Sequence, residues 1–364
     1  MKSKKWFWLL PMFVFALWCG TTHPVFASEF DFAVDPQFPQ QQAGQNRSYY
    51  DLWMKPASQQ ELTMTLSNDT AKDVKVNVAI TNATTNNAGV VEYSPNKIKP
   101  DKSLQYHLAD LVTYQKQVTI PKKSKLAYHV LVKMPTAEFN GQVAGGITFQ
   151  QQDAGQAKKK SSGVAINNHY AFVLGLIVHN NNEPTTPKLH LHQVKAGQSN
   201  ARNVITANLQ NSTPIFINQV KTNAVITKQG DSKPVYKHSA VQLQIAPNSN
   251  FDYTIPLNGK RFAAGTYHLK LTVLANKSAD GKYHDGTDTK GDPINFINRW
   301  QFEKDFKITA QAARKYNQTD VSIPKEKSNH LLIIGLIILI VVLLLVILLM
   351  WLRSRKHKQI RQAR

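Results

Sequence analysis

The chain has 364 residues, with 44 Lys+Arg against 23 Asp+Glu, 42% hydrophobic residues and one Cys. The length leaves room for two ordinary domains, the apolar share excludes a disordered polymer, and 18% charged residues exclude a coiled coil. Much of the apolar content sits in blocks at the two ends, which excludes a soluble cytoplasmic enzyme, while the polar middle excludes a polytopic transporter.

Residues 1–27 begin Met1-Lys2-Ser3-Lys4-Lys5, run through an apolar stretch over 6–20 and exit at Val25-Phe26-Ala27. That order reads as a signal peptide cleaved after Ala27, and an uncleaved anchor is the rival reading. Trp18 precedes Cys19 where a lipidated cysteine needs small residues, so a lipoprotein is discounted. Cleavage removes Cys19 and with it disulfides, thiol catalysis and zinc–thiolate sites.

Residues 28–310 alternate apolar and polar with period two, the mark of strands with one buried face. The runs are Leu62, Met64 and Leu66; Val74, Val76, Val78 and Ile80; then Leu126, Tyr128, Val130 and Val132. Leu189 and Leu191, Val220, and Val241, Leu243 and Ile245 continue the pattern, followed by Tyr267, Leu269, Leu271 and Val273, with Phe302, Phe306 and Ile308 last. Turn clusters separate them at 68–70, 86–89, 140–141, 258–259 and 264–266. Nothing in this stretch resembles a helical crossover, so the expectation is an all-β chain of two antiparallel sandwiches. The boundary is placed in the linker 180–187, giving domains over 28–182 and 183–310. Leu66-Ser67-Asn68-Asp69-Thr70 and Leu209-Gln210-Asn211-Ser212-Thr213 form a weak internal echo, suggestive of duplication.

Residues 311–330 read as a polar stalk reaching about 60 Å at most. Residues 331–352 are 22 consecutive uncharged residues rising about 33 Å, enough for a transmembrane helix. Arg353, Arg355, Lys356, Lys358, Arg361 and Arg364 follow without an acid, which marks 353–364 as a basic cytoplasmic tail and the middle as exported. Ser322-Ile323-Pro324-Lys325-Glu326 does not match a sortase signal, so the span is expected to stay in the membrane.

No nucleophile elbow, zinc-protease helix or phosphate loop occurs between the ends. His190 and His192 share a strand face without an obvious third ligand and read as surface histidines. Asp280, Asp285, Asp288 and Asp292 offer oxygen ligands suited to calcium, but the spacing misses the EF-hand pattern, so a solvated hairpin tip is preferred. Lys122, Lys123 and Lys125, and Lys158-Lys159-Lys160, suit either an anionic envelope polymer or merely a soluble surface; nucleic acid is excluded for an exported domain. Trp53 and Trp300 are isolated and read as core or rim residues. No catalytic, cofactor or metal site is assigned.

Phe32-Ala33-Val34-Asp35-Pro36, Tyr50-Asp51-Leu52 leading to Lys55-Pro56, the Asn68 turn, Ala83-Thr84-Thr85-Asn86 with Gly89-Val90-Val91, and Gly145-Gly146-Ile147 resemble the first domain of the WxL-interacting proteins of Gram-positive bacteria. The stretch 170–176, Val194-Lys195-Ala196-Gly197-Gln198, Arg202-Asn203-Val204-Ile205, 207–211, 246–251, Leu257-Asn258-Gly259-Lys260 and Ala264-Gly265-Thr266-Tyr267 resemble that family's second domain, which would then start near Tyr170. The resemblance implies two immunoglobulin-like domains, the first associated with peptidoglycan and the second with a host ligand, in a non-catalytic surface protein partnering WxL-domain proteins. Trp-x-Leu itself occurs only at Trp8-Leu9-Leu10 in the expected signal, so the chain reads as the partner of a WxL protein. It departs from the family pattern over 275–299, where an extended hairpin or lid replaces a short turn. Two rivals stay open: an envelope enzyme using acids such as Asp285 and Asp288, and a pilin- or chaperone-like sandwich that donates strands.

Overall fold

The computed structural model describes residues 31–40, 42–44, 47–152, 170–324 and 330–362, with side chains of the last segment described over 334–351. The expected signal peptide and the lysine run 158–160 lie outside the described residues.

The first domain contains β1 (Ala33–Gln37), β2 (Tyr50–Trp53), β3 (Gln59–Asn68), β4 (Val74–Asn82), β5 (Thr84–Thr85), β6 (Val91–Glu92), β7 (Val112–Tyr114), β8 (Gln117–Ile120), β9 (Ser124–Lys133), β10 (Val143–Gln151) and β11 (Ala171–His179). One sheet runs β1-β3-β9-β7 and the facing sheet β2-β11-β10-β4-β8. The second domain contains β12 (Leu189–Ser199), β13 (Arg202–Asn211), β14 (Ile217–Lys228), β15 (Pro234–Ile245), β16 (Ser249–Pro256), β17 (Gly265–Lys277), β18 (Tyr283–Thr287) and β19 (Pro293–Ile308). Its sheets run β12-β13-β16 and β15-β14-β17-β19-β18. Both domains are therefore two-sheet sandwiches, and β1-β3-β9 matches β12-β13-β16 as β8-β4-β10-β11 matches β15-β14-β17-β19.

Alternation makes the cores. Leu62, Met64 and Leu66 of β3 face Val74, Val76, Val78 and Ile80 of β4 across the first sandwich, each buried. Tyr267, Leu269, Leu271 and Val273 of β17 do the same in the second. The 209–213 echo of 66–70 is a geometric one as well. Asn68 and Asn211 are both fully buried. Each side-chain oxygen accepts from the backbone and hydroxyl of the threonine two residues on, at 2.9 and 2.8 Å for Thr70 and 3.1 and 2.6 Å for Thr213. Each amide donates to the carbonyl four residues on, Lys72 or Ile215, and to a carbonyl closing the neighbouring strand, Ile120 or Ala246. The same turn thus ties two sheets together twice.

Three expectations are corrected. Val241 does not face the core: it is 59% exposed, because Gln242 sits at φ 60° in a bulge and the register with β14 slips across Val241 and Gln242, between Ala240 and Leu243. The stretch from Tyr170, read by resemblance as the start of the family's second domain, packs with the first sandwich: β11 pairs antiparallel with β10 and parallel with β2. The chain from 311 is not an extended stalk. Ala310–Thr319 forms helix α1, capped by Thr309, whose hydroxyl accepts from Ala312 N at 3.1 Å.

Its composition reads polar, but Ala313 is buried and Tyr316 packs on Phe262. The polar residues act as fasteners: Asn317 exchanges hydrogen bonds with the backbone of Phe262, and Asp320 accepts from Asn203 N at 2.7 Å. Ile323 is buried in turn. Only the steps from Pro324 to His330 are left to span, at most about 20 Å. Helix α2 (His330–Gln362) follows, and its stretch 334–351 is long and apolar enough to cross a membrane, with none of that window buried.

The 275–299 region extends two strands and folds a third on them. β17 and β19 pair as far as Lys277 and Phe296, and β18 pairs back onto β19. Arg299 and Lys282 both lie over the Tyr283 ring, with Arg299 at 4.5 Å from its centroid.

Candidate functional site

The two sandwiches meet along a packed joint. Ala83, Ala144, Ile177, Phe216 and Ala246 form a small apolar cluster between them, flanked by Tyr49, Val91 and Tyr93. The β5–β6 hairpin reaches into the second domain, where Gln244 N donates to Gly89 O and Thr254 N to Asn87 O, both at 2.9 Å. It thereby touches the edge strands of both sheets. The buried Thr85 hydroxyl accepts from Ala246 N at 2.9 Å and lies 2.8 Å from the Ser249 hydroxyl. Gln210 donates to both oxygens of Asp101.

Beside this joint opens a cleft of about 810 Å³, within the ~300–1,000 Å³ usual for small-molecule sites. The parallel pairing of β2 with β11 makes one wall. Its register sets Asp51 beside Ile177 and Trp53 beside His179, so period two turns these four outward while Leu52, Leu176 and Val178 point into the core. Gly175, on the same face, leaves room for Tyr49: a Cβ there would stand 3.3 Å from the Tyr49 Cβ. The opposite wall comes from the second domain: Phe216, Asn218 and Gln244.

The charges in the cleft are internally matched. His179 Nε2 lies 2.6 Å from Asp51 Oδ1, and Arg47 Nη1 lies 3.0 Å from Asp51 Oδ2, so both carboxylate oxygens are committed. The Trp53 ring stacks on His179 at 4.5 Å and is 41% exposed toward the cleft. Burial, and secondarily Tyr49, push the Tyr93 hydroxyl up to about 12, so it stays a neutral donor. Among the described residues lining the cleft there is no Ser, Thr or Cys, and Asp51 is the one carboxylate. The arrangement offers aromatic faces and amides, not a nucleophile with a free base.

The calcium candidates are not brought together. Asp285 pairs with Lys221 Nζ, and Asp288 closes its turn by accepting from Lys290 N and Asp292 N at 2.8 and 2.9 Å. Those backbone hydrogen bonds, Asp292 foremost, hold the Asp288 carboxyl below its usual range. Among the described residues no three His, Cys, Asp or Glu gather in a metal-holding group. His190 and His192 share an exposed face and bond Ser212 and Gln210. Sequence reasoning left Trp53 at the rim without a role and did not find His179, Phe216 or Gln142. Trp53 meets His179 through a parallel pairing between strands more than a hundred residues apart, and Phe216 and Gln142 join them where the domains meet, which no local period announces.

Two family models match the chain: the peptidoglycan binding domain of the WxL Interacting Proteins over residues 32–151 and their host binding domain over 161–318. The second match includes β11, which the fold gives to the first sandwich. No curated protein matches the sequence. Similar solved structures include the YadV chaperone (10% identity, 77% of this chain and 100% of that one, TM-score 0.28) and the class 5 fimbriae chaperone CfaA (10%, 75% and 98%, 0.29). The Pseudomonas aeruginosa CupB2 chaperone matches at 10% identity over 69% of this chain and 95% of that one, with a TM-score of 0.26. At such scores the likeness carries no information about function.

Proposed function

The chain belongs to the WxL-interacting proteins, and from that premise we propose that it is a non-catalytic, single-pass membrane protein of the cell surface that holds a WxL-domain protein beside the wall. The family supplies the coarse role, with one peptidoglycan-binding and one host-binding domain. In this reading α2 crosses the membrane, the basic segment after Trp351 stays in the cytoplasm, and both sandwiches face outward. The first domain holds peptidoglycan or an anionic wall polymer, and the second contacts an extracellular host ligand.

One observation supports the reading above the rest: both family domains occur in order on two sandwiches whose chain then leads within about 20 Å into an apolar helix. A lone, fully paired carboxylate in the cleft suits retention of a ligand better than its hydrolysis, since glycoside hydrolysis needs two carboxyl groups flanking the bond. Strand addition is the docking mode that suits a WxL partner, because edge strands offer unpaired backbone groups. The test uses tagged full-length chain in its own cells. Protease added to wall-stripped intact cells is expected to degrade both sandwiches, and a WxL-domain protein is expected to co-purify. Sandwiches left intact by the protease, or a purified chain carrying no WxL protein, would refute it.

A further inference from the structure

We propose that the cleft at the domain joint is a composite site for an N-acetylated saccharide, built by both domains and carried by neither alone. The inference rests on the surface-binding role above and assigns it a place and a ligand chemistry. Four observations converge on it.

The first is shape and lining. The cleft has room for a short oligosaccharide, and the 41% exposed Trp53 ring, stacked on His179, lines one wall while the 9% exposed Phe216 from the other domain lines the opposite one. Sugar rings carry flat C–H faces that pack on aromatic faces, and their hydroxyls suit side-chain amides such as Asn218 and Gln244. The second is charge. Asp51 is already satisfied by Arg47 and His179, so the cleft demands no ion of either sign.

The third excludes an extended peptide. The outer backbone of β2 is occupied, with Ala43 N donating to Asp51 O and Gln42 bridging Leu52, so among the described residues β2 offers no open edge here for main-chain pairing. The fourth is the Gln142 side-chain oxygen. It is buried in the cleft wall and has no hydrogen-bond donor. A buried acceptor left unmatched is destabilising, and a modest rotation of the amide would meet a donor on a ligand. An acetamido group supplies that N–H together with a methyl suited to the apolar patch of Ile177 and Phe216.

The test is calorimetric titration of the full-length chain in detergent with chitotetraose as the N-acetylated probe and cellotetraose as its counterpart without acetamido groups. Chitotetraose is expected to bind the more tightly. Trp53→Ala and Phe216→Leu, the latter keeping buried bulk, are each expected to weaken it roughly tenfold, the scale of a lost ring contact. Gln142→Leu is expected to raise the melting temperature while reducing the preference for chitotetraose over cellotetraose, a combination that a merely structural glutamine would not give.

The proposal is overturned if chitotetraose fails to bind, if cellotetraose binds equally, or if Phe216→Leu leaves affinity unchanged while Trp53→Ala reduces it. Competition by soluble wall glycan strands or by host-type N-acetyllactosamine then identifies the source of the natural ligand. Pelleting with intact sacculi reports the wall role separately: wild-type chain that pellets but ignores chitotetraose sinks the cleft and spares the family-level function.

Discussion

The two sandwiches share one frame and differ in what is attached to it. Seven strands correspond in order and pairing, and the buried asparagines at 68 and 211 repeat the same turn almost atom for atom. The first sandwich adds β7 beside β9, and β2 and the β5–β6 hairpin at the end that meets its neighbour. The second adds β18, and it carries the α1 segment at the end from which the chain leaves for α2. In the first domain β2 and the hairpin build the joint and the cleft; in the second the frame itself receives them, through Phe216 just before β14, Asn218 on β14 and Gln244 on β15. A duplicated frame thus supplies stability twice, and specific chemistry enters through additions at its ends.

The sharpest way to break the correspondence is at its twin asparagines. Asn68→Ala and Asn211→Ala each remove the donor to one buried and at least one half-buried carbonyl, and the acceptor for a threonine hydroxyl, buried at Thr213 and half-buried at Thr70. Each is expected to cost about 3 kcal/mol, read by chemical denaturation of the full chain in detergent. If the frames are equivalent, the two losses agree to within about 1 kcal/mol. A loss at one position three times the other would show that the likeness is of backbone only.

Most of the frame was legible before any coordinates, because a strand with one buried face writes its burial into alternate residues. Val74 to Ile80 and Tyr267 to Val273 are such cases. Where alternation failed, a backbone irregularity was responsible, as at Gln242, whose left-handed φ costs no sequence signature that a glutamine would betray. The α1 segment was illegible for another reason. A helix that docks by Ala313, Tyr316 and hydrogen bonds from Asn317 and Asp320 buries too little apolar surface to stand out from a polar linker. The cleft was invisible because its walls come from β2 and β11 in one domain and from the start of β14 and the end of β15 in the other, and pairing between distant strands leaves no local trace.

The next prediction tests whether the additions depend on the frame. β10 carries Gly145-Gly146, and a Cβ at Gly146 would stand 2.4 Å from the Tyr93 carbonyl oxygen. The glycine lets the chain leaving β6 lie directly on the sheet, which places Tyr93 in the cleft. Gly146→Ala must displace that chain and is expected to cost about 2 kcal/mol as overpacking. Interdomain contacts made by 86–90 should loosen with it, so hydrogen exchange at the amides of Gln244 and Thr254 is expected to accelerate. Unchanged protection at both amides would mean that the hairpin holds its place without Gly146.

A smaller effect is expected at the opposite end of the second sandwich. Asp320→Ala removes the acceptor for Asn203 N and for the Ser322 backbone and hydroxyl, a loss of about 1.5 kcal/mol. Limited proteolysis should then cut within 310–324 while leaving both sandwiches whole. Resistance equal to wild type would show that Tyr316 and Ile323 suffice to dock the segment.

The smallest effect is a pH dependence that links both ends. Burial alone would raise the carboxyls of Asp101 and Asp320. The hydrogen bonds from Ser103, Gln210 and Asn250 in one case, and from Ser322, Asn203 and Ile323 in the other, together outweigh burial and hold both below the ordinary value of 3.8. A carboxyl whose folded value is depressed contributes stability that is fully present above its unfolded value and is lost as pH falls through the folded one. Asp101 fastens the domain joint through Gln210, and Asp320 fastens the α1 segment through Asn203. Between pH 5 and 8 neither contributes any change, whereas below about pH 4 the joint and the docked segment should both weaken. Hydrogen exchange compared at pH 5 and pH 3, after correction for intrinsic rates, is expected to show lost protection at Asn203 N. Asp320→Asn, which cannot titrate, should show no such difference; if it shows the same loss, another carboxyl governs the acid response.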